Sequence, residues 1–280
     1  MLKPRVIAVV LVKDGTVVQS IGFRRYLPVG KPEIAISYLD RWGIDEIVVL
    51  HIDGKPASAD TVASYSRHCA VPLSVGGGVR DAATVQRIIQ AGADKIVLNS
   101  AAVANPALIS EAAERFGEQC VVVSIDARGG MAHVNGGKQA VGLEAATLAR
   151  QCAERGAGEI LVNSIDRDGS KTGYDLELIR TLVAAVPVPV IACGGAGTPE
   201  HLREALGEGP AAVAAANFFH FTEHSVILAK SWLAAHGVPV RLDSYTSYAG
   251  RELDREGRLV RLAEDALDRL RFRYVPEEVI

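Results

Sequence analysis

Ser74-Val75-Gly76-Gly77-Gly78 recurs about 115 residues later as Ile191-Ala192-Cys193-Gly194-Gly195. In each copy an apolar run ends in glycines, and a helix-capping residue follows, Asp81 in the first and Thr198 in the second. Ile52-Asp53 recurs at a similar offset as Ile165-Asp166, and the run ending at Leu11 aligns with the one ending at Asp126. Pairs matching in the same order at one offset predict a fold built from two similar halves.

Outward from these pairs, eight short apolar runs predict strands: Arg5–Leu11, Glu46–Ile52, Pro72–Val75, Lys95–Asn99, Val121–Asp126, Glu159–Asn163, Pro189–Cys193 and Ala211–Ala216. Most are continuous rather than alternating, as in parallel strands buried on both faces. Between them, Asp81–Gly92, Asn105–Phe116 and Gly142–Gly156 carry apolar residues at helical spacing. This alternation predicts an α/β fold, a (β/α)8 TIM barrel over residues 1–242, with an open doubly wound sheet as the alternative. Residues 243–280 follow the eighth helix, Glu223–His236, and form an extension in which Gly257–Arg273 has the pattern of an amphipathic helix. That helix either packs on the barrel or receives a partner, and packing is the simpler expectation.

The 280 residues, 49% hydrophobic, suffice for one large core. A net charge of −3 gives no basis for nucleic-acid or acidic-membrane binding. Cys69, Cys120, Cys152 and Cys193 are widely spaced, so neither a disulfide framework nor a metal site is expected. With no signal-peptide pattern and no long apolar run, a cytoplasmic setting is expected.

Barrel chemistry belongs at the C-terminal ends of the strands. The clusters Gly76-Gly77-Gly78 and Gly194-Gly195-Ala196-Gly197 lie there, between a strand and a helix start. Glycines let backbone amides approach an anion, or simply make tight turns. Two clusters at equivalent positions favour a ligand with phosphate at each end, with Asn99-Ser100 and Asn217 as polar neighbours. Asp126, ending its strand, is placed between them as a candidate general base, or else as a loop cap. At the opposite end Arg5, Glu46, Lys95 and Glu159 each begin a strand. They form either a salt-bridged ring or ordinary solvated flanks.

Several motifs resemble the HisF family, the cyclase subunits of imidazole glycerol phosphate synthase. They include Lys13-Asp14-Gly15, Val75-Gly76-Gly77-Gly78, Ala93-Asp94-Lys95, Gly156 to Asp168 and Gly194-Gly195-Ala196-Gly197. The resemblance implies a HisH-type glutaminase docked at the barrel bottom, with ammonia passing through the barrel to a phosphorylated substrate at the top. It implies no cofactor. By position it makes Arg5, Glu46, Lys95 and Glu159 an ammonia gate and Asp94 a partner-facing residue. Asp126 becomes the catalytic base. Gly77, Gly78, Asn99 and Ser100 form one phosphate site, and Gly194, Gly195 and Asn217 the other, with Asn217 where a smaller residue is usual.

The departures cluster at the top. Leu11 stands in place of the family's catalytic acid, His51 in place of an aspartate and Gln19 in place of a lysine. The loop Gly22–Gly30 is more similar to HisF-like subunits that accompany amidotransferases of surface-sugar synthesis. The expectation is therefore an ammonia-delivering subunit, serving a phosphate-containing acceptor or a third amidotransferase enzyme. The alternative is a histidine-pathway cyclase in which His51 or Asp53 supplies the acid.

Overall fold

The computed structural model describes residues 3–269. Its strands are β1 (Arg5–Lys13), β2 (Thr16–Ile21), β3 (Arg25–Gly30), β4 (Glu46–His51), β5 (Leu73–Gly76), β6 (Lys95–Leu98), β7 (Val121–Arg128), β8 (Met131–Val134), β9 (Gln139–Glu144), β10 (Glu159–Ser164), β11 (Val190–Cys193) and β12 (Ala212–Ala215). β1, β4, β5, β6, β7, β10, β11 and β12 pair in parallel, and the β12–β1 pairing closes the (β/α)8 barrel. The helices are α1 (Pro32–Arg41), α2 (Ala59–Ser66), α3 (Ala82–Gln90), α4 (Ser100–Ala104), α5 (Ala107–Phe116), α6 (Ala145–Ala153), α7 (Leu176–Ala185), α8 (Pro199–Gly207), α9 (Ser225–Ala235) and α10 (Glu264–Arg269).

Strand alternation sorts the apolar residues into two layers. Ile7, Val9, Val48, Val97, Val122 and Leu161 fill the barrel axis. Val6, Ala8, Val10, Ile47, Val49 and Val123 pack outward against the helices. Both faces are dry, which is why the strands read as unbroken apolar runs, and each buried branched side chain contributes about 1.5–3 kcal/mol. Asp81 and Thr198 cap α3 and α8 as expected, accepting from the amides of Thr84 and His201. They fix the helix starts beside the two glycine clusters.

Two hairpins lie outside the eight expected strands. β2–β3 follows β1, and β8–β9 follows β7, so the hairpins obey the same internal repeat. Each leaves the barrel through a two-residue turn with positive φ, Asp14-Gly15 in one half and Gly129-Gly130 in the other. Such turns suit the twist of a hairpin. The second hairpin also shortens the expected helix Gly142–Gly156, because Gly142 to Glu144 belong to β9 and α6 starts at Ala145.

The extension departs from expectation as well. Gly257 (φ +76) sits in a tight turn, Leu259 bridges to Leu253, and helix begins only at Glu264. The expected helix beyond Arg269, including Leu270, lies outside the described residues. Along its course Ser244 Oγ donates to the Arg41 carbonyl, and the hydroxyls of Tyr245 and Tyr248 lie 2.5 Å from the two ring nitrogens of His224. This part of the extension runs along the outside of α1 and α9.

Candidate functional site

Asp126 faces the barrel axis from the end of β7, since Val123, Ile125 and Ala127 take the outward face. It is buried, and Asn99 Nδ2 donates to it at 3.2 Å. Burial pushes its carboxyl up to about 7, against the lowering effect of hydrogen bonds from Asn99 and Asn163, while the charge of Asp168 raises it further. A carboxyl poised near neutrality can both take and return a proton. Asn163 also lines the mouth, and its Oδ1 is buried without a hydrogen-bond partner among the described residues.

The opposite wall is apolar. Leu11 and Leu50 pair on adjacent strands and pack on the interior cluster. Because Leu50 takes the inward position, His51 turns outward. Its Nε2 lies 3.3 Å from the hydroxyl of Tyr65 on α2, and Tyr65 belongs to the layer between barrel and helices. The expectation of His51 as an acid in the mouth is corrected by this alternation. Asp53 also sits away from Asp126's wall, accepting from the Lys55 amide in the loop after β4. The carboxyl the structure does bring toward Asp126 is Asp168, from the loop after β10. It is raised above the ordinary aspartate range by burial, against hydrogen bonds from Ser20, Phe23 and Gly22. The sequence offered only a polar loop as the signal for Asp168.

The two glycine clusters are equivalent in three dimensions. A Cβ on Gly77 or Gly78 would run into the backbone of His51 or Lys55, and one on Gly194 or Gly195 into that of Ser164 or Gly173. In both halves, glycine is required because the preceding loop passes directly over the strand end. Just after the next strand, Asn99 (ψ −90) and Ala216 (ψ −79) share the same unusual turn. Ser100 and Asn217 are therefore counterparts, and both hold hairpins. Ser100 Oγ accepts from the Asn135 amide of the β8–β9 hairpin. Asn217 accepts from the Ser20 amide and donates to the Ser20 carbonyl. The oxygen and the nitrogen of the Asn217 carboxamide thus each bond Ser20 of β2.

At the opposite end, Arg5, Glu46, Lys95 and Glu159 form one closed ring. Arg5 reaches Glu46 and Glu159, each at 2.7 Å, and Lys95 reaches them at 3.0 and 2.9 Å. Ser74 Oγ adds a bond to Glu46 at 2.9 Å. Burial opposes the Arg5 charge, but the two carboxylates outweigh it and raise its pKa. Asp94, exposed beside this ring, accepts from the Leu73 amide.

A two-halved α/β barrel, with its buried carboxyl at the C-terminal mouth and an ionic ring at its base, is the class of protein that the fold defines. The chain belongs to the family described as histidine biosynthesis protein, which it matches over residues 5–225. It is 46% identical over 255 residues to the imidazole glycerol phosphate synthase subunit HisF of two strains of Caulobacter vibrioides, NA1000 and ATCC 19089. Those alignments cover 87% of this chain and 98% of each relative. The chain is a HisF homologue. Among the described residues no helix is long and apolar enough to cross a membrane.

Proposed function

We propose that the chain is the barrel subunit of a cytoplasmic glutamine amidotransferase. A HisH-type glutaminase docks against the base around Asp94 and releases ammonia there. The ring of Arg5, Glu46, Lys95 and Glu159 gates its passage along the apolar axis. Asp126 and Asn163 receive it at the mouth, for a phosphate-containing acceptor or for a third amidotransferase enzyme. The observation that carries this reading is the contrast between a fully paired ring below and a one-sided mouth above. A buried carbonyl oxygen on Asn163 beside a near-neutral carboxyl is an environment that suits an N–H donor of ammonia's size. Phosphate recognition rests on the two glycine loops and on Asn99 and Ser100.

The test supplies free ammonia and the histidine-pathway bisphosphate to the purified chain. Turnover at the level of other HisF subunits would overturn the reading. Lys95→Ala is expected to cut glutamine-dependent activity while sparing activity with free ammonia. Equal loss of both would remove the gate.

A second reading, a working histidine-pathway cyclase, is favoured by the 46% identity and by one structural fact: Asp168 brings a second, half-buried carboxyl toward Asp126. In that case Asp168, rather than His51 or Asp53, shares the acid–base work, and Asp168→Asn abolishes turnover.

A further inference from the structure

The two glycine loops match in geometry but not in anchoring. Aligned by the repeat, Val79 becomes Ala196, Arg80 becomes Gly197, and Ala82 at the start of α3 becomes Pro199 at the start of α8. Val79 is buried in the outer core, so an apolar side chain pins the first loop. Ala196 is only partly buried beside that core, and Gly197 joins Gly194 and Gly195 as a third glycine. More glycine and less anchoring make the second loop costlier to order. It is tied to the first turn of α8 instead. His201 Nδ1 accepts from the Gly197 amide at 3.2 Å, and Thr198 Oγ1 accepts from the His201 amide at 3.4 Å.

The C-terminal extension backs that turn from outside. The Asp254 amide donates to the Arg258 carbonyl at 2.9 Å, the Arg258 amide to Asp254 Oδ1 at 2.8 Å, and the Val260 amide to the Glu252 carbonyl at 3.0 Å. These bonds close a small hairpin over residues 252–260. Its Gly257 is buried against the Pro199 ring, where a Cβ would stand 2.4 Å from Cγ and 2.9 Å from Cδ. Pro199 is buried, whereas in the other half Asp81 is exposed and Ala82 half-buried. Upstream, the extension is fastened at Arg41 and His224.

We infer that this hairpin is a positioning element for the second glycine loop, with Gly257 as its point of contact. By backing Pro199 it holds the first turn of α8, and through Thr198 and His201 it holds Gly194-Gly195-Ala196-Gly197. The two ends of a ligand are then bound on different terms. The barrel core sets the first loop, and the extension sets the second. A loop ordered beforehand loses less freedom when it takes an anion. The phosphate role rests on the reading proposed above; the bracing of α8 does not.

Inorganic phosphate titrated into the full, isotope-labelled chain tests the inference, with the first loop as an internal control. The amide resonances of Gly77 and Gly78 report one loop, and those of Gly194 and Gly195 the other. Gly257→Val, which cannot fit against Pro199, is expected to weaken phosphate at the second loop about fivefold or more and to leave the first within about twofold. Asp254→Ala loosens the hairpin without added bulk, and should act in the same direction by less. Equal weakening at both loops, or none at the second, would overturn the role in phosphate binding. Amide hydrogen exchange tests the bracing by itself. In Gly257→Val, exchange at His201 and Leu202 should rise about tenfold, with Thr84 and Val85 of α3 unchanged. If phosphate moves neither pair of glycines in the wild type, the phosphate reading fails and the exchange result alone decides the bracing. Unchanged exchange at His201 and Leu202 overturns it. Should Gly257→Val not fold, unchanged exchange there in Asp254→Ala overturns it equally.

Discussion

The two ends of this barrel solve the problem of buried charge in opposite ways. At the base, two cations and two carboxylates alternate around the axis, and each touches both neighbours of opposite sign. At the mouth, Asp126 has carboxamides but, among the described residues, no paired cation, and the position facing it across the internal repeat is Leu11. The base pairs every one of its charges with its opposite. At the mouth, burial pushes the Asp126 carboxyl up to about 7. Ion pairing makes a fixed structure, whereas desolvation without pairing makes a group that exchanges protons.

Breaking the base should cost the most. Glu46 is 1% exposed and serves Arg5, Lys95 and Ser74 together. Glu46→Ala leaves two cations sharing the single carboxylate of Glu159, and a loss of about 3–5 kcal/mol is expected. Urea denaturation measures it. A loss under about 1 kcal/mol would mean that the ring is merely solvated charge.

Asp126 sharpens the contrast through pH. Its carboxyl is raised from 3.8 to about 7 in the fold, so the folded state holds a proton that the unfolded chain has released. Its contribution to stability is therefore fully present below about pH 4 and is lost as pH rises toward 7 and beyond. Asp126→Asn abolishes that dependence. The variant should gain on the wild type with rising pH, by at most about 4 kcal/mol at pH 8. Parallel stability curves for the two proteins would contradict a desolvated carboxyl.

Leu11→Asp makes the mouth resemble a two-carboxylate site. A charge beside Leu50 and Val9 is expected to lower stability by roughly 1–3 kcal/mol, by lost apolar packing and desolvation. If the missing acid alone limits cyclase chemistry, turnover with the histidine-pathway bisphosphate should rise about a hundredfold or more. A stable variant with no gain would place the defect elsewhere, with Gln19 next in line.

The barrel, its halves and the inward aim of Asp126 were legible because they follow from strand alternation and from glycines that only close backbone approach explains. The hairpins were legible in principle. Asp14-Gly15 and Gly129-Gly130 are two-residue hairpin turns at equivalent positions, but the short strands they join lack the long apolar runs of the barrel. The bonds of Asn217 and Asp168 to the β2–β3 hairpin were not legible. Apart from the Ser20 hydroxyl their partners are backbone groups of Ser20, Gly22 and Phe23, far away in sequence, and no residue pattern marks such a bond. His51 was misplaced for a local reason: a one-residue step along a strand exchanges the barrel axis for the helix layer.

His51 gives the smallest expected effect and the sharpest test of that step. Its ring lies against Tyr65 at a centroid distance of 6.0 Å, and burial lowers its pKa below the ordinary histidine value despite the charge of Asp53. The fold thus favours the neutral ring. Stability from this group is complete above about pH 6.5 and is lost as pH falls below it. His51→Gln should remove that acid-side loss and cost about 1 kcal/mol or less at pH 8, through a changed bond to Tyr65. Any turnover the chain has should keep its pH–rate profile, because the ring is on the wrong side of β4 to reach a ligand beside Asp126. If the profile shifts near pH 6 in His51→Gln while Asp126→Asn leaves it in place, the proton exchange belongs to the helix side of β4. The assignment of chemistry to the barrel axis would then fail.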